Sequence, residues 1–152
     1  MRSGFVTLVG RPNVGKSTLL NRILDQKVAI TSDKPQTTRR QVRGVLHAVT
    51  ETDGVDEDVQ VVFVDTPGIH KPRTPLGERL NDTATDALGD VDVACLVIEA
   101  TAPIGPGDRW VAERLPRDSI VVVNKVDRAS PEQIATQLTT ASEWGFADYV
   151  PV

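Results

Sequence analysis

Three things are scarce in this sequence of 152 residues: cysteine, long apolar runs and excess positive charge. The single cysteine, Cys95, excludes an internal disulfide framework and suits a reducing compartment, and its apolar neighbours predict a core position. No apolar run approaches the roughly 18 residues of a membrane span, and the N-terminal run ends at Val9, so neither a transmembrane segment nor a secretory leader is predicted. The net charge of −4 argues against a general nucleic-acid binder, because neutralising phosphates needs clustered Lys and Arg. We therefore expect a soluble protein of the cytoplasm.

The rest of the composition, 39% hydrophobic and 25% charged, is that of one ordinary globular domain. Apolar, β-favouring runs alternate with helix-prone stretches, without repeats, linkers or low-complexity segments. This alternation predicts an α/β fold with a mostly parallel sheet, helices on both faces and ligands at the carboxyl ends of the strands. The predicted strands are Phe5–Val9, Gln41–Thr50, Val59–Asp65, Val91–Glu99, Ser119–Asn124 and Asp148–Val152. The predicted helices are Lys16–Asp25, Leu76–Leu88, Asp108–Leu115 and Pro131–Ala141, the last capped by Ser130.

The second and third predicted strands are joined by an acidic stretch, Glu51–Asp58. It contains Asp53-Gly54, a dipeptide typical of hairpin turns, so we expect these strands to form an antiparallel pair with one of them at a sheet edge. The acidic side chains could hold a metal, but a solvated turn is the favoured interpretation.

The eight residues that begin at Gly10 organise the chain. They read Gly-Arg-Pro-Asn-Val-Gly-Lys-Ser and match G-x-x-x-x-G-K-[ST], the phosphate-binding loop, between a predicted strand and a predicted helix. Backbone N–H groups would curl around a phosphate, Lys16 would contact the β- and γ-phosphates, and Ser17 would offer a hydroxyl to Mg²⁺. The predicted phosphate-binding residues are Gly10, Arg11, Pro12, Asn13, Val14, Gly15, Lys16, Ser17 and Thr18.

Two further strand ends carry polar motifs. The third strand ends in Asp65-Thr66-Pro67-Gly68, where the carboxylate can hold the Mg²⁺ shell and the Gly68 N–H can reach the γ-phosphate. The fifth ends in Asn124-Lys125-Val126-Asp127. The Asp127 carboxylate can accept hydrogen bonds from guanine N1–H and its 2-amino group, whereas adenine offers neither donor. The second motif therefore predicts GTP rather than ATP as the ligand.

The polar loop Val28–Arg40 precedes the second strand and contains Thr37, Thr38, Arg39 and Arg40. A threonine hydroxyl of this loop would complete the Mg²⁺ shell when a γ-phosphate is present, and the loop would relax after hydrolysis. Arg39 and Arg40 are interpreted as solvated surface residues, with phosphate or RNA contacts as the alternative.

Gly10–Ser17, Thr37-Thr38, Asp65–Gly68 and Asn124–Asp127 resemble the first four signature elements of translation-factor-type GTPases. Within that class the chain is similar to the Era/EngA/TrmE group, and Pro35–Arg39 with Asp65–Pro72 resembles the Era type. The resemblance covers essentially all 152 residues. It implies the three-layer small G-protein fold, with one antiparallel edge strand, a slow Mg²⁺-dependent GTPase, and Thr38 rather than Thr37 as the Mg²⁺ ligand.

The resemblance also implies a longer protein. Era-type chains continue with a fifth guanine-binding loop, a final helix and a KH-type RNA-binding domain, so we expect residues 1–152 to be a G domain cut just before that loop. By resemblance, the partners are 16S rRNA and the 30S subunit, reached through the C-terminal domain, and the full-length protein also associates peripherally with the inner membrane face. The alternatives are the G domain of an EngA or TrmE type, or a nucleotide-gated module with negligible hydrolysis.

One residue bears on the mechanism. Ile69 follows Gly68 where Ras-type enzymes carry a glutamine that orients water, and isoleucine has no donor or acceptor. Water would then be positioned by the backbone, by the Thr37–Thr38 loop or by a cation, with His70 as a less favoured base, and the predicted catalytic groups are Lys16, Thr38 and Gly68. A monovalent cation such as K⁺, ligated by Asn13, is a candidate for the missing counter-charge, and loop capping is the alternative role of Asn13.

Overall fold

The computed structural model describes residues 1–25, 41–65 and 88–152. A six-stranded sheet forms its centre, with the strand order β2-β3-β1-β4-β5-β6. The strands are β1 (Arg2–Val9), β2 (Gln41–Thr52), β3 (Val55–Asp65), β4 (Val93–Glu99), β5 (Ile120–Asn124) and β6 (Asp148–Pro151). The described helices are α1 (Lys16–Asp25), α2 (Pro106–Ala112), a short 3₁₀ turn (Val126–Arg128) and α3 (Pro131–Ser142).

The sheet is parallel except at one edge. β1 pairs in parallel with β3 and β4, β4 with β5, and β5 with β6, whereas β2 runs antiparallel to β3. The predicted mostly parallel sheet with one antiparallel edge strand is therefore confirmed. The strands β1, β3, β4 and β5 run in the same direction, so their carboxyl ends lie at one edge of the sheet.

The hairpin of β2 and β3 is longer than the sequence predicts. Its turn is Asp53-Gly54, with φ angles of 55° and 77°, and strand pairing continues to Thr52 opposite Val55. Most of the acidic stretch is thus strand, which corrects the interpretation of the whole of Glu51–Asp58 as a turn. Two-residue turns with both φ angles positive follow the twist of the strands, so pairing can run up to the turn.

Helices cover both faces of the sheet. On one face, α2 and α3 contribute Val111 and Ala141 to a cluster with Leu96, Ile98 and Val123, all at most 1% exposed. On the other face, Leu19 of α1 packs against a second cluster formed by Val14, Cys95, Val97 and Val122. β4 is buried from both sides, as its continuous apolar sequence predicts. The core position predicted for Cys95 is confirmed, and burial raises the pKa of its thiol to about 11.

Several element ends differ from prediction. β1 begins at Arg2 rather than Phe5, because pairing with β3 continues to Arg2 opposite Val59. Helix α2 begins at Pro106 and ends at Ala112, two to three residues earlier than predicted, since proline suits the first helical turn. Ser130 caps α3 as predicted, and its hydroxyl accepts a hydrogen bond from the Gln133 N–H at 3.2 Å.

Some predictions lie outside the described residues: the loop Val28–Arg40 and the helix Leu76–Leu88 up to its last residue. Leu88 itself is buried in the core cluster on the α2 and α3 face. None of the described helices is long and apolar enough to cross a membrane.

Candidate nucleotide site

The phosphate loop connects β1 to α1 and lies tightly against two neighbouring strands. A Cβ atom on Gly10 would come within 2.5 Å of the Val97 carbonyl oxygen, and one on Gly15 within 2.4 Å of Asn124 Nδ2. The φ angles of these glycines, 145° and 97°, are values that side chains rarely permit. Both glycines of the motif are thus required by backbone shape and by close approach.

Lys16 opens α1, and its ammonium group turns back over the loop. Nζ donates hydrogen bonds to the carbonyl oxygens of Gly10 at 2.6 Å and of Arg11 at 2.8 Å. This holds a positive charge against the loop that precedes α1, whose N-terminus also favours negative charge. The arrangement suits an anion such as a phosphate.

A cleft of about 340 Å³ lies beside this loop and is lined by Lys16, Ser17, Asn21 and Arg43, among others. The Ser17 residue is exposed at the start of α1, and β3 ends at Asp65 beside β1. A hydroxyl and a carboxylate are ligands that Mg²⁺ accepts, because it keeps several waters and phosphate oxygens in its shell. The exposed Ser17 hydroxyl therefore suits the predicted magnesium ion, and Asp65 stays a predicted ligand.

The loop predicted to bind the base, Asn124–Asp127, begins at the end of β5 and is called the base-reading loop below. It is hydrogen-bonded directly to the phosphate loop. Asn124 Nδ2 donates to the Val14 carbonyl oxygen at 3.0 Å, and Lys125 Nζ donates to the Asn13 carbonyl oxygen at 2.9 Å. Lys125 and Asn13 both have φ angles of 66°, in the left-handed region that residues other than glycine seldom occupy. The two loops thus hold each other in conformations that neither sequence favours alone.

A second cleft, of about 550 Å³, opens where these loops meet. Gly15, Thr18, Asn124, Lys125 and Asp127 line it, together with Arg22, Arg128 and Val152. The Asp127 side chain is 78% exposed, so its carboxylate is open to a ligand. The structure therefore brings the predicted phosphate and base motifs together around one cavity.

Other predicted site residues are not described. Thr37 and Thr38 lie outside the described residues, as do Thr66, Pro67, Gly68 and Ile69. Asp65 is placed by its backbone at the end of β3.

Two carboxylates that the sequence analysis did not select lie next to the phosphate and base loops. Glu99 ends β4 opposite Asn124, and its Oε1 accepts hydrogen bonds from Lys125 Nζ at 3.0 Å and from Thr101 Oγ1 at 2.8 Å. The hydrogen bond from Thr101, then that from Lys125, lowers the pKa of Glu99 below its usual 4.5. Its position at a strand's carboxyl end is the same signal that marks Asp65 and Asn124.

Asp108 in α2 is the second of these carboxylates. It is 1% exposed, and its Oδ1 accepts a hydrogen bond from Arg11 Nε at 3.1 Å. Nothing in the local sequence signals this contact, because the two residues are far apart in the chain.

Comparisons with known proteins agree with this geometry. The 49% identity to the GTPase Era of Mycolicibacterium paratuberculosis extends over 99% of this chain and 50% of that protein. The GTPase Era of Leifsonia xyli subsp. xyli is 51% identical over 94% of this chain and 48% of its own length. The chain thus spans about half the length of the curated relatives it matches.

Solved structures of Era are also similar. A crystal structure of Era in complex with MgGDPNP and nucleotides 1506–1542 of 16S ribosomal RNA matches with a TM-score of 0.68 and 34% identity, over all of this chain and 51% of that one. An Aquifex aeolicus Era variant bound to GDP·AlF₄⁻ matches with a TM-score of 0.67 and 34% identity, over all of this chain and 51% of that one. The fold is therefore the P-loop GTPase fold. Since the model of one protein family, described as 50S ribosome-binding GTPase, matches residues 5–125, the chain belongs to that family.

Proposed function

We propose that this chain is the guanine-nucleotide-binding domain of an Era-type GTPase, which hydrolyses GTP to GDP and phosphate with Mg²⁺. One observation carries the proposal: the Asn124 and Lys125 side chains bond the base-reading loop directly to the phosphate loop around a single cleft. A ligand that uses both loops must carry a purine base at one end and phosphates at the other. An exposed carboxylate at Asp127 then selects guanine, because adenine lacks the N1–H and 2-amino donors that guanine would offer to it.

The proposed roles follow the motifs. Residues 10–18 bind the phosphates through backbone N–H groups and Lys16, residues 65–69 approach the γ-phosphate, and residues 124–127 hold the base. Ser17, Thr38 and Asp65 would hold Mg²⁺, which neutralises the charge that develops on the phosphates. Catalysis would then depend on positioning by Lys16, Thr38 and Gly68, and without a water-orienting side chain at Ile69 we expect a slow intrinsic rate.

The test is phosphate release from GTP in a single turnover, with and without Mg²⁺ and with ATP as the competitor. We expect Mg²⁺-dependent release that excess ATP does not inhibit. Tight GDP binding without any release would instead indicate a nucleotide-gated binding module, and inhibition by ATP would contradict the assignment of the base loop.

For the wider role, we propose assembly of the small ribosomal subunit. The support is the similar Era structure that contains part of 16S ribosomal RNA, although the family description names the 50S subunit. The RNA contacts would come from a KH-type domain in the half of the relatives that this chain does not match. Co-sedimentation of the full-length protein with purified 30S and 50S subunits, in GDP and in a GTP analogue, distinguishes the two: binding to 50S alone would contradict the proposal.

We also propose that K⁺ accelerates hydrolysis more than Na⁺ through the Asn13 amide oxygen. Asn13 is an exposed residue of the phosphate loop, and its φ angle of 66° is left-handed. The measurement is GTP turnover in matched KCl and NaCl for the wild type and Asn13→Ala. Equal wild-type rates in the two salts would contradict the role of K⁺. A preference for K⁺ that remains in Asn13→Ala would contradict the role of Asn13 as its ligand.

A further inference from the structure

Two carboxylates lie close to the phosphate loop, where a negative charge would be expected to repel a phosphate ligand. Glu99 and Asp108 reach this place from different elements, the end of β4 and the first turn of α2. Each is bonded to a cation of the proposed site, Glu99 to Lys125 and Asp108 to Arg11. Each of these negative charges is thus neutralised by one cation of the site. This indicates that the two carboxylates position those cations.

The Asp108 carboxylate ties the phosphate loop to α2. Its Oδ2 accepts a hydrogen bond from the Gly105 N–H at 2.9 Å, which fixes the carboxylate, and its Oδ1 accepts from Arg11 Nε. Arg11 Nη2 also lies 3.9 Å from Glu99 Oε2. Asp108 is 1% exposed and Arg11 is 34% exposed, so their bond is partly shielded from water and salt. The second residue of the phosphate loop is thus anchored to α2.

The Glu99 carboxylate connects the base-reading loop to the end of β4 and, through Lys125, to the phosphate loop. It holds the Lys125 ammonium, which at the same time donates to the Asn13 carbonyl oxygen. Both Lys125 and Asn13 are in the left-handed conformation, which a side chain makes unfavourable, so their positions depend on bonds of this kind. Asp127 follows Lys125 by two residues, and an error in the Lys125 backbone would move the group that reads guanine.

We propose, resting on the nucleotide site proposed above, that Glu99 and Asp108 are positioning residues: Glu99 sets the base loop through Lys125, and Asp108 sets the phosphate loop through Arg11. Neither needs to touch the nucleotide. Together they fix the spacing between the two halves of the site.

The direction in which one substitution changes GDP affinity distinguishes this role from a purely electrostatic effect. Removing a negative charge near the phosphates should tighten nucleotide binding if charge alone matters. If Glu99 positions Lys125, Glu99→Gln should instead weaken GDP binding by about tenfold, the effect expected for a charge-assisted hydrogen bond. It should also reduce the preference for GDP over IDP, which lacks the 2-amino group that Asp127 would bind.

Asp108→Asn should weaken GDP binding while leaving the GDP-to-IDP preference unchanged, since it acts on the phosphate loop. Its amide can accept from only one of the two donors that Asp108 serves. Thermal unfolding of each variant shows whether it is folded at the assay temperature. Glu113→Gln, which removes an exposed charge just after α2, is the matched control and should bind GDP as the wild type does.

The experiment is GDP and IDP affinity by calorimetry for the wild type and the three variants. Wild-type protein that binds no GDP would refute the proposed function itself. With wild-type binding intact, unchanged or tighter GDP binding by Glu99→Gln overturns the positioning role, and so does weaker binding at an unchanged GDP-to-IDP preference. Unchanged GDP binding by Asp108→Asn overturns the part of the proposal that concerns α2.

Discussion

Asp127 is the residue on which base selection rests in the proposed site. Its carboxylate is exposed at the cleft and can accept from two guanine donors, whereas xanthine presents a carbonyl at position 2 that an amide can donate to. We expect Asp127→Asn to lose about 1.5–3 kcal/mol of GDP binding, the value for a hydrogen bond to a charged group, and to gain affinity for XDP. The measurement is competition between GDP and XDP, with Asp118→Asn as an exposed control; a variant that still prefers GDP would contradict the assignment.

Glu99 should make the protein sensitive to acid in a defined direction. Its pKa is lower in the folded protein than the usual 4.5 because Thr101 and Lys125 stabilise the carboxylate. A lowered folded pKa contributes stability above the unfolded pKa, and this contribution is lost as the pH falls through the folded value. The stability advantage of the wild type over Glu99→Gln should therefore be constant near neutral pH and shrink below about pH 4.5. Thermal unfolding from pH 7 downward tests this, and an advantage that grows in acid would refute it.

Cys95 should be inert in the folded protein. Burial raises the pKa of its thiol to about 11, so at pH 8 only about one thiol in a thousand is the reactive thiolate. We expect negligible alkylation by a maleimide at pH 8 in the native state and complete alkylation in urea. Mass spectrometry measures the labelling. Rapid labelling of the native protein would contradict this prediction and show that β4 becomes accessible to solvent.

At the scale of elements, α1 packs closely against a glycine of the edge strand β2. β2 is irregular between Val42 and Gly44, and a Cβ on Gly44 would come within 2.5 Å of Leu24 Cδ1. We expect Gly44→Ala to lower the unfolding free energy by about 1–3 kcal/mol, the usual cost of overpacking. Leu24→Ala should offset part of this loss in the double variant.

The control for this prediction is Gly107→Ala in α2. That glycine has open space around it and no positive φ angle, so alanine should be neutral or slightly stabilising. A Gly44→Ala variant as stable as the wild type would mean that α1 can shift away from β2.

The sequence predicts the ends of an element well where neighbouring residues determine them, and less well where pairing with a distant strand determines them. Ser130 and Pro131 predict the start of α3 because a cap and a first-turn proline act within one turn. Arg2-Ser3-Gly4 gives no strand pattern, yet it is strand because β3 offers it partners. The acidic residues around Asp53-Gly54 predict the turn but conceal that the strands run up to it.

At the scale of the whole molecule, alternation of strands and helices predicts a parallel sheet but not its strand order, because the order depends on the side of the sheet on which each connection crosses. The motifs predict that the phosphate and base loops share one site, since the carboxyl ends of parallel strands meet at one edge. The motifs do not predict the ion pair of Arg11 with Asp108 or that of Lys125 with Glu99. Those contacts exist only once β4 and α2 are folded beside the loop.

The strand order also bears on how the protein is made. β1 and the phosphate loop leave the ribosome before the other strands of the sheet, but β1 pairs with β3 and with β4, which begins at Val93. Gly10 packs against Val97, and Val14 receives its hydrogen bond from Asn124. The hairpin of β2 and β3 pairs neighbours in the chain and can close much earlier, since short loops close fastest. During synthesis, the phosphate loop is therefore translated well before it can take its final shape, and the nascent chain should gain the capacity to hold a nucleotide only after Asn124 and Lys125 have emerged.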